Sequence, residues 1–147
     1  MRQAIVDASV ILKWYLPDEE HSHVALKLLD SYVTDRLTIL APALLEYEVI
    51  NGLLIARRRG RVEEEKLVLA IEGFFALGIP LKTIAPLYPQ VLHYCKTYDC
   101  SAYDASYLAL ADHEEYVLVT ADEKLYRATA KDLSWVKWLG DEQLFHD

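Results

Sequence analysis

Short unbroken apolar runs alternate along this chain with longer stretches in which apolar residues recur every three or four positions. Ala4-Ile5-Val6 is a strand-prone run that ends at Asp7. Ser9 to Leu16 predicts a short helix or turn, stopped by Pro17, and Asp18-Glu19-Glu20 a polar loop. Between His23 and Val33, Val24, Ala25, Leu28, Leu29 and Tyr32 keep helical spacing; Leu37 to Ala41 is strand-like. Pro42 to Arg59 predicts a helix apolar on nearly every side and so largely buried. Pro42 would sit in its first turn, Arg57, Arg58 and Arg59 in its last, and Gly60 would end it. Val62 to Leu77 predicts a second helix, with Glu63, Glu64 and Glu65 in its first turn and Gly78 as its stop. Pro80 restricts the strand-like Ile79 to Ile84 to a strand start or an edge. Two helices (Leu87 to Tyr98, Ala102 to Asp112), a buried strand (Val117 to Thr120), a short helix (Asp122 to Thr129) and a last strand (Val136 to Leu139) complete the pattern.

Strands alternating with helices imply an α/β fold, a parallel sheet with helices on both faces. At 147 residues and 53% hydrophobic content, one core suffices, and residues 1–147 read as a single domain without repeats or low-complexity segments. The formal net charge of -8 has the wrong sign for a nucleic-acid binder, so such a role requires a local basic patch or a metal. Cys95 and Cys100 are too few for a disulfide scaffold, and their spacing fits neither a C-x-x-C redox pair nor zinc ligands. They read as reduced thiols, and the chain as cytoplasmic. No apolar run approaches membrane-spanning length, and Asp7 and Lys13 interrupt the first one, unlike a signal peptide.

In open α/β sheets, ligands sit beyond the carboxyl ends of the strands. Asp7 stands there, flanked by apolar and small residues that turn it toward a partly buried place; a turn-forming Asp is the plainer alternative. Asp122 also follows a strand. Thr120 and Glu123 make a capping-box pair around it, which leaves Asp122 itself without a structural duty. Glu48 and Asn51 lie about 60° apart on one side of their helix, so Asn51 could hold the Glu48 carboxylate, with Glu46 roughly opposite. Asp104 follows Ser101 at capping-box spacing, so cap and metal ligand are equally open to it. Carboxylates at close range repel and raise one another's pKa. Four of them facing one side of a parallel sheet become sensible around a divalent cation, and oxygen-only ligands suit Mg²⁺ or Mn²⁺. Such ions support phosphodiester hydrolysis and would bridge an acidic protein to an anionic substrate.

The ordered motifs Ile5-Val6-Asp7-Ala8-Ser9, Tyr47-Glu48-Val49-Ile50-Asn51-Gly52-Leu53, Tyr103-Asp104-Ala105-Ser106-Tyr107-Leu108-Ala109-Leu110-Ala111 and Leu118-Val119-Thr120-Ala121-Asp122-Glu123-Lys124-Leu125 resemble those of PIN domains. More narrowly, they resemble the VapC-type toxins of type II toxin–antitoxin operons. The resemblance covers almost the whole chain. It implies a central parallel sheet of about five strands flanked by helices, and Mg²⁺- or Mn²⁺-dependent endoribonuclease activity. It places Asp7, Glu48, Asp104 and Asp122 at the family's acidic positions, Thr120 at its hydroxyl position and Asn51 at its supporting amide. It further implies a small antitoxin partner and a homodimer.

Arg57, Arg58, Arg59 and Arg61 form the dense basic cluster; charge at a helix C-terminus is the plainer reading and a phosphate-contacting rim the functional one. His21, His23, His93, His113 and His146 show no ligand spacing. Trp14 and Tyr15 are read as core or as groove-lining, where they could receive an antitoxin segment. Two other enzyme classes fit less well. A phosphotransfer receiver expects paired acids at the first strand, and an aspartyl phosphatase expects a second Asp where Ser9 stands. A PIN-fold module that binds metal or a partner without RNase activity is the non-enzyme alternative.

Overall fold

A computed structural model describes residues 2–141 and residue 144. Its five strands are β1 (Gln3–Val6), β2 (Thr38–Pro42), β3 (Leu81–Lys82), β4 (Val117–Thr120) and β5 (Val136–Trp138), all parallel, in the spatial order β3-β2-β1-β4-β5. The helices are α1 (Ala8–Tyr15), α2 (Ser22–Val33), α3 (Leu45–Arg58), α4 (Glu64–Ala76), α5 (Tyr88–Tyr98), α6 (Ala102–Glu114) and α7 (Glu123–Thr129), with one 3-10 turn at Ala85–Leu87. Right-handed crossovers require α1 to α4 to cover one face of the sheet and α5 to α7 the other. The contacts agree: α1 packs on α2 and α3, and α6 on β1, β2 and β4.

β1 and β4 are apolar on both faces and buried, as central strands of a doubly covered sheet must be. Helix α6 is buried from Ala105 to Ala111 and forms the centre of its layer. Pro17 follows α1, and Gly60 and Gly78, at φ 74° and 62°, stand just beyond α3 and α4, where a left-handed residue ends a helix. A Cβ at Gly52 would come within 2.5 Å of the Leu12 side chain, so this glycine lets α3 approach α1 closely.

Two expectations change. Pro42 is the last residue of β2 and not a helix start; α3 begins at Leu45. Ala41 and Ala43 donate their N–H groups toward the β3 side, so the missing N–H of Pro42 faces the β1 side, where β1 has already ended at Val6. Nor is α3 buried on nearly every side. Leu45, Val49, Leu53 and Ala56 face the core, while Tyr47 is 78% exposed. Its apolar composition serves an inner face and an uncovered outer one.

Candidate active site

The register of the sheet builds one half of the site. Val6 pairs with Val119, so Asp7 emerges beside Thr120, and the Asp7 N–H donates to the Val119 carbonyl at 3.4 Å. Thr120 Oγ1 donates to Asp7 Oδ2, and Ser9 Oγ to Asp7 Oδ1, each at 2.5 Å. The same hydroxyls are tied to the β4–α7 turn: Ala121 N–H donates to Ser9 Oγ at 2.9 Å and Asp122 N–H to Thr120 Oγ1 at 3.0 Å. Asp122 is the N-cap of α7, its Oδ1 accepting from Leu125 N–H at 3.1 Å. The Thr120–Glu123 capping pair is therefore not formed. Strand pairing turns the Thr120 hydroxyl inward to Asp7, and Asp122 takes the cap instead.

Helix starts build the other half. Glu48 lies in the first turn of α3 and Asp104 in the first turn of α6, where acids complement the helix dipole. Ser101 caps α6 by accepting from the Asp104 N–H at 3.1 Å, so the N-cap is the serine, whose side chain also acts to lower the Asp104 carboxyl pKa. Glu48 Oε1 accepts from Tyr107 Oη at 2.6 Å. Asn51 lines the same cleft as Glu48, but among the described residues no hydrogen bond joins the two; the supporting donor is Tyr107, not the amide.

Electrostatics connect the halves. Burial pushes the Asp7 carboxyl up to about 6, against the pull of the Ser9 and Thr120 hydroxyls, and the charge of Asp122 adds to the rise. Burial raises Asp104, and Asp122 raises it further, while Lys124 and Ser101 oppose. Burial raises Glu48, Tyr107 opposes, and Asp104 adds to the rise. The charge of Asp122 thus raises both Asp7 and Asp104, and that of Asp104 raises Glu48, which links the four acids electrostatically. Among the described residues, no group of three or more His, Cys, Asp or Glu side chains stands where it could hold a metal ion. The donor set is nevertheless all hard oxygen, and Mg²⁺ keeps several waters and takes only one or two carboxylates. By donor chemistry, though not as a preformed cluster, the residues suit such a cation.

Glu48 and Asn51 open into a cleft of about 720 Å³, lined also by Leu44, Tyr47, Ile50, Leu54 and Tyr103. Sequence reasoning missed Ser9 and Tyr107. Both stand inside the quoted motifs, but no local signal marks Ser9 as a donor to Asp7 or Tyr107 as a donor to Glu48.

The remaining candidates disperse. Trp14 is 7% exposed and donates to the Ala25 carbonyl at 2.7 Å, so it is core between α1 and α2 and lines no groove. Exposed apolar side chains lie instead at Tyr47 of α3, Val68, Leu69 and Phe75 of α4, Tyr88 and Leu92 of α5, and Tyr103 of α6. Arg61 pairs with Asp18 and Glu19, and Arg57 with Glu64, which makes both surface ion-pair partners. Both cysteines are free thiols. His146 lies outside the described residues.

The PIN domain family model matches residues 4–131. Ribonuclease VapC3 of Pyrobaculum aerophilum is 27% identical over 123 residues, which cover 82% of this chain and 90% of that protein. The crystal structure of PAE2754 from Pyrobaculum aerophilum superposes with a TM-score of 0.68 at 24% identity, covering 94% of this chain and 84% of the other. Mycobacterium tuberculosis VapC20, described as a sarcin-ricin loop cleaving toxin, gives a TM-score of 0.64 at 18% identity, covering 86% and 95%. Both are likenesses of fold.

Proposed function

The chain belongs to the PIN-domain family, and from that premise we propose that it is a VapC-type endoribonuclease, the toxin of a type II toxin–antitoxin pair, hydrolysing RNA phosphodiesters with Mg²⁺ or Mn²⁺. Residues 1–147 make one such domain, acting in the cytoplasm. The observation that carries the reading is the placement of four acids at the carboxyl end of the sheet: Asp7 after β1, Asp122 after β4, and Glu48 and Asp104 in the first turns of α3 and α6. Its likeness to Ribonuclease VapC3 supports RNA as the substrate.

Asp7, Glu48, Asp104 and Asp122 would hold the cation. When bound, it activates a water and neutralises charge on the attacking and leaving oxygens. The chain's own residues do the rest. Ser9 and Thr120 fix both Asp7 oxygens, so the carboxylate does not reorient when a charged group arrives. Asp122 is held by the α7 N-terminus and Glu48 by Tyr107. Burial of Asp7 at 6% exposure keeps bulk water from screening the cluster from that side.

Such an enzyme needs restraint. A small antitoxin, and a second copy of the chain in a homodimer, are the partners this reading carries. The exposed apolar side chains of α3 and α4 support contact there rather than at Trp14. No helix among the described residues is long and apolar enough to cross a membrane.

The deciding experiment is cleavage of a mixed RNA panel with Mg²⁺, with EDTA, and by Asp104→Asn. Cleavage that needs Mg²⁺ and is lost in Asp104→Asn is the expected result. Metal uptake without cleavage of any RNA would leave only a binding module.

A further inference from the structure

One side chain holds a carboxylate of the site without being an acid itself. Tyr107 lies three residues beyond Asp104 on α6 and is 2% exposed. Its hydroxyl donates to Glu48 Oε1 at 2.6 Å. A buried phenol needs a partner, and a backbone carbonyl would serve as well as any. Here the partner is a carboxylate from the opposite helical layer, 59 positions away in sequence. Asp7 has two hydroxyl donors and Asp122 an amide. Glu48 has, among the described residues, only this one side-chain bond to its carboxylate.

We propose that Tyr107 is a positioning residue: by holding Glu48 Oε1 it selects one rotamer of an otherwise loosely held glutamate and leaves Oε2 as the donor to the cation. The inference rests on the metal-dependent reading above. A purely structural Tyr107 would fill space equally well as phenylalanine. A positioning Tyr107 would not, because outer hydrogen-bond partners of metal ligands typically carry 10–100-fold in affinity or activity.

Tyr107→Phe keeps the ring and removes the hydroxyl. Its Mn²⁺ concentration for half-maximal thermal shift should rise about tenfold or more. At saturating Mn²⁺, kcat should fall while the KM for RNA holds. The double variant Glu48→Gln/Tyr107→Phe should be no worse than Glu48→Gln alone, since both remove the same interaction. An unchanged Mn²⁺ midpoint, or losses that add in full, would overturn the proposal. If Tyr107→Phe folds poorly, 3-fluorotyrosine at position 107 replaces it. Its ¹⁹F resonance should move on Mg²⁺ addition in the parent and stay still in Glu48→Gln; a resonance indifferent to Mg²⁺ in the parent overturns the proposal as well. A parent protein whose melting ignores Mn²⁺ sinks the metal reading and this inference with it. A responsive parent with an indifferent Tyr107→Phe sinks this inference alone.

Discussion

The strand-end half of the site and the helix-start half hold the same chemical group by different means. Asp7 is buried, bonded through both oxygens, and surrounded by hydroxyls that are themselves bonded to the β4–α7 turn. Glu48 and Asp104 are half-buried on the first turns of helices from opposite layers, and Glu48 hangs on a single phenol. The first half belongs to the architecture of the sheet; the second is attached to it. Substitutions in the first should therefore disturb fold and chemistry together, whereas those in the second should disturb chemistry alone.

The largest expected effect tests the second half. Asp104→Asn and Glu48→Gln should each lower RNA cleavage by on the order of a hundredfold or more while circular dichroism and melting stay close to the parent. Cleavage at the parental rate in either variant would remove that acid from the site. Next comes the pH dependence of the first half. The Asp7 carboxyl titrates near 6 in the folded protein against 3.8 in a free chain, so between these values the native state holds a proton that the unfolded state has lost. The Asp7 contribution to metal-free stability should thus be full below about pH 4 and fall away, by about 3 kcal/mol, as pH rises past 6. Urea unfolding in EDTA across that range measures it, and Asp7→Asn should flatten the curve. Millimolar Mn²⁺ at pH 7.5 should restore stability to the parent and much less to Asp7→Asn, because it binds only the native site; a melting temperature blind to Mn²⁺ argues against a formed site.

Thr120→Val sharpens the contrast further. It leaves one Asp7 oxygen and the Asp122 N–H without the buried hydroxyl, at a cost of about 1–3 kcal/mol, together with weaker Mn²⁺ binding. Loss of activity with no loss of stability would mean that the two halves are alike after all. The smallest effect on stability belongs to Asp122→Ala. Loss of the α7 cap should destabilise by about 1 kcal/mol, with activity falling separately through the lost carboxylate; Asp122→Asn keeps the cap and isolates the chemical part.

What the chain disclosed in advance follows the same division. Val117 to Thr120 was readable residue for residue, because a β-branched apolar run between polar ends has few alternatives. The positions of the four acids, though not their chemistry, were readable because each ends a strand or begins a helix. What holds them was not. As a hydroxyl of the site, Thr120 was named only through the family resemblance. Its bond to Asp7 spans 113 positions, that of Ala121 to Ser9 spans 112 and that of Tyr107 to Glu48 spans 59, through strand register and layer packing that local spacing does not encode. Spacing also misled where two roles share one residue type. Proline suits a helix start and the end of a strand beside a shortened neighbour, and Pro42 is the latter. Apolar composition marks a core face and an uncovered face alike, and α3 has both.

The order of the strands sets when the site can exist. β1 is made first but lies between β2 and β4, and the hydroxyl that completes Asp7 is 113 residues further along. While the chain is still being synthesised, Asp7 stands at the open edge of an unfinished sheet. Only after β4 has left the ribosome and docked can Asp7, Asp122 and Asp104 meet. A chain stalled or cut before Val117 carries Asp7, Glu48 and Asp104 but neither Thr120 nor Asp122. For an enzyme that would destroy RNA, competence is then the last thing translation confers, and an inhibitor made nearby has the whole time of synthesis in which to arrive.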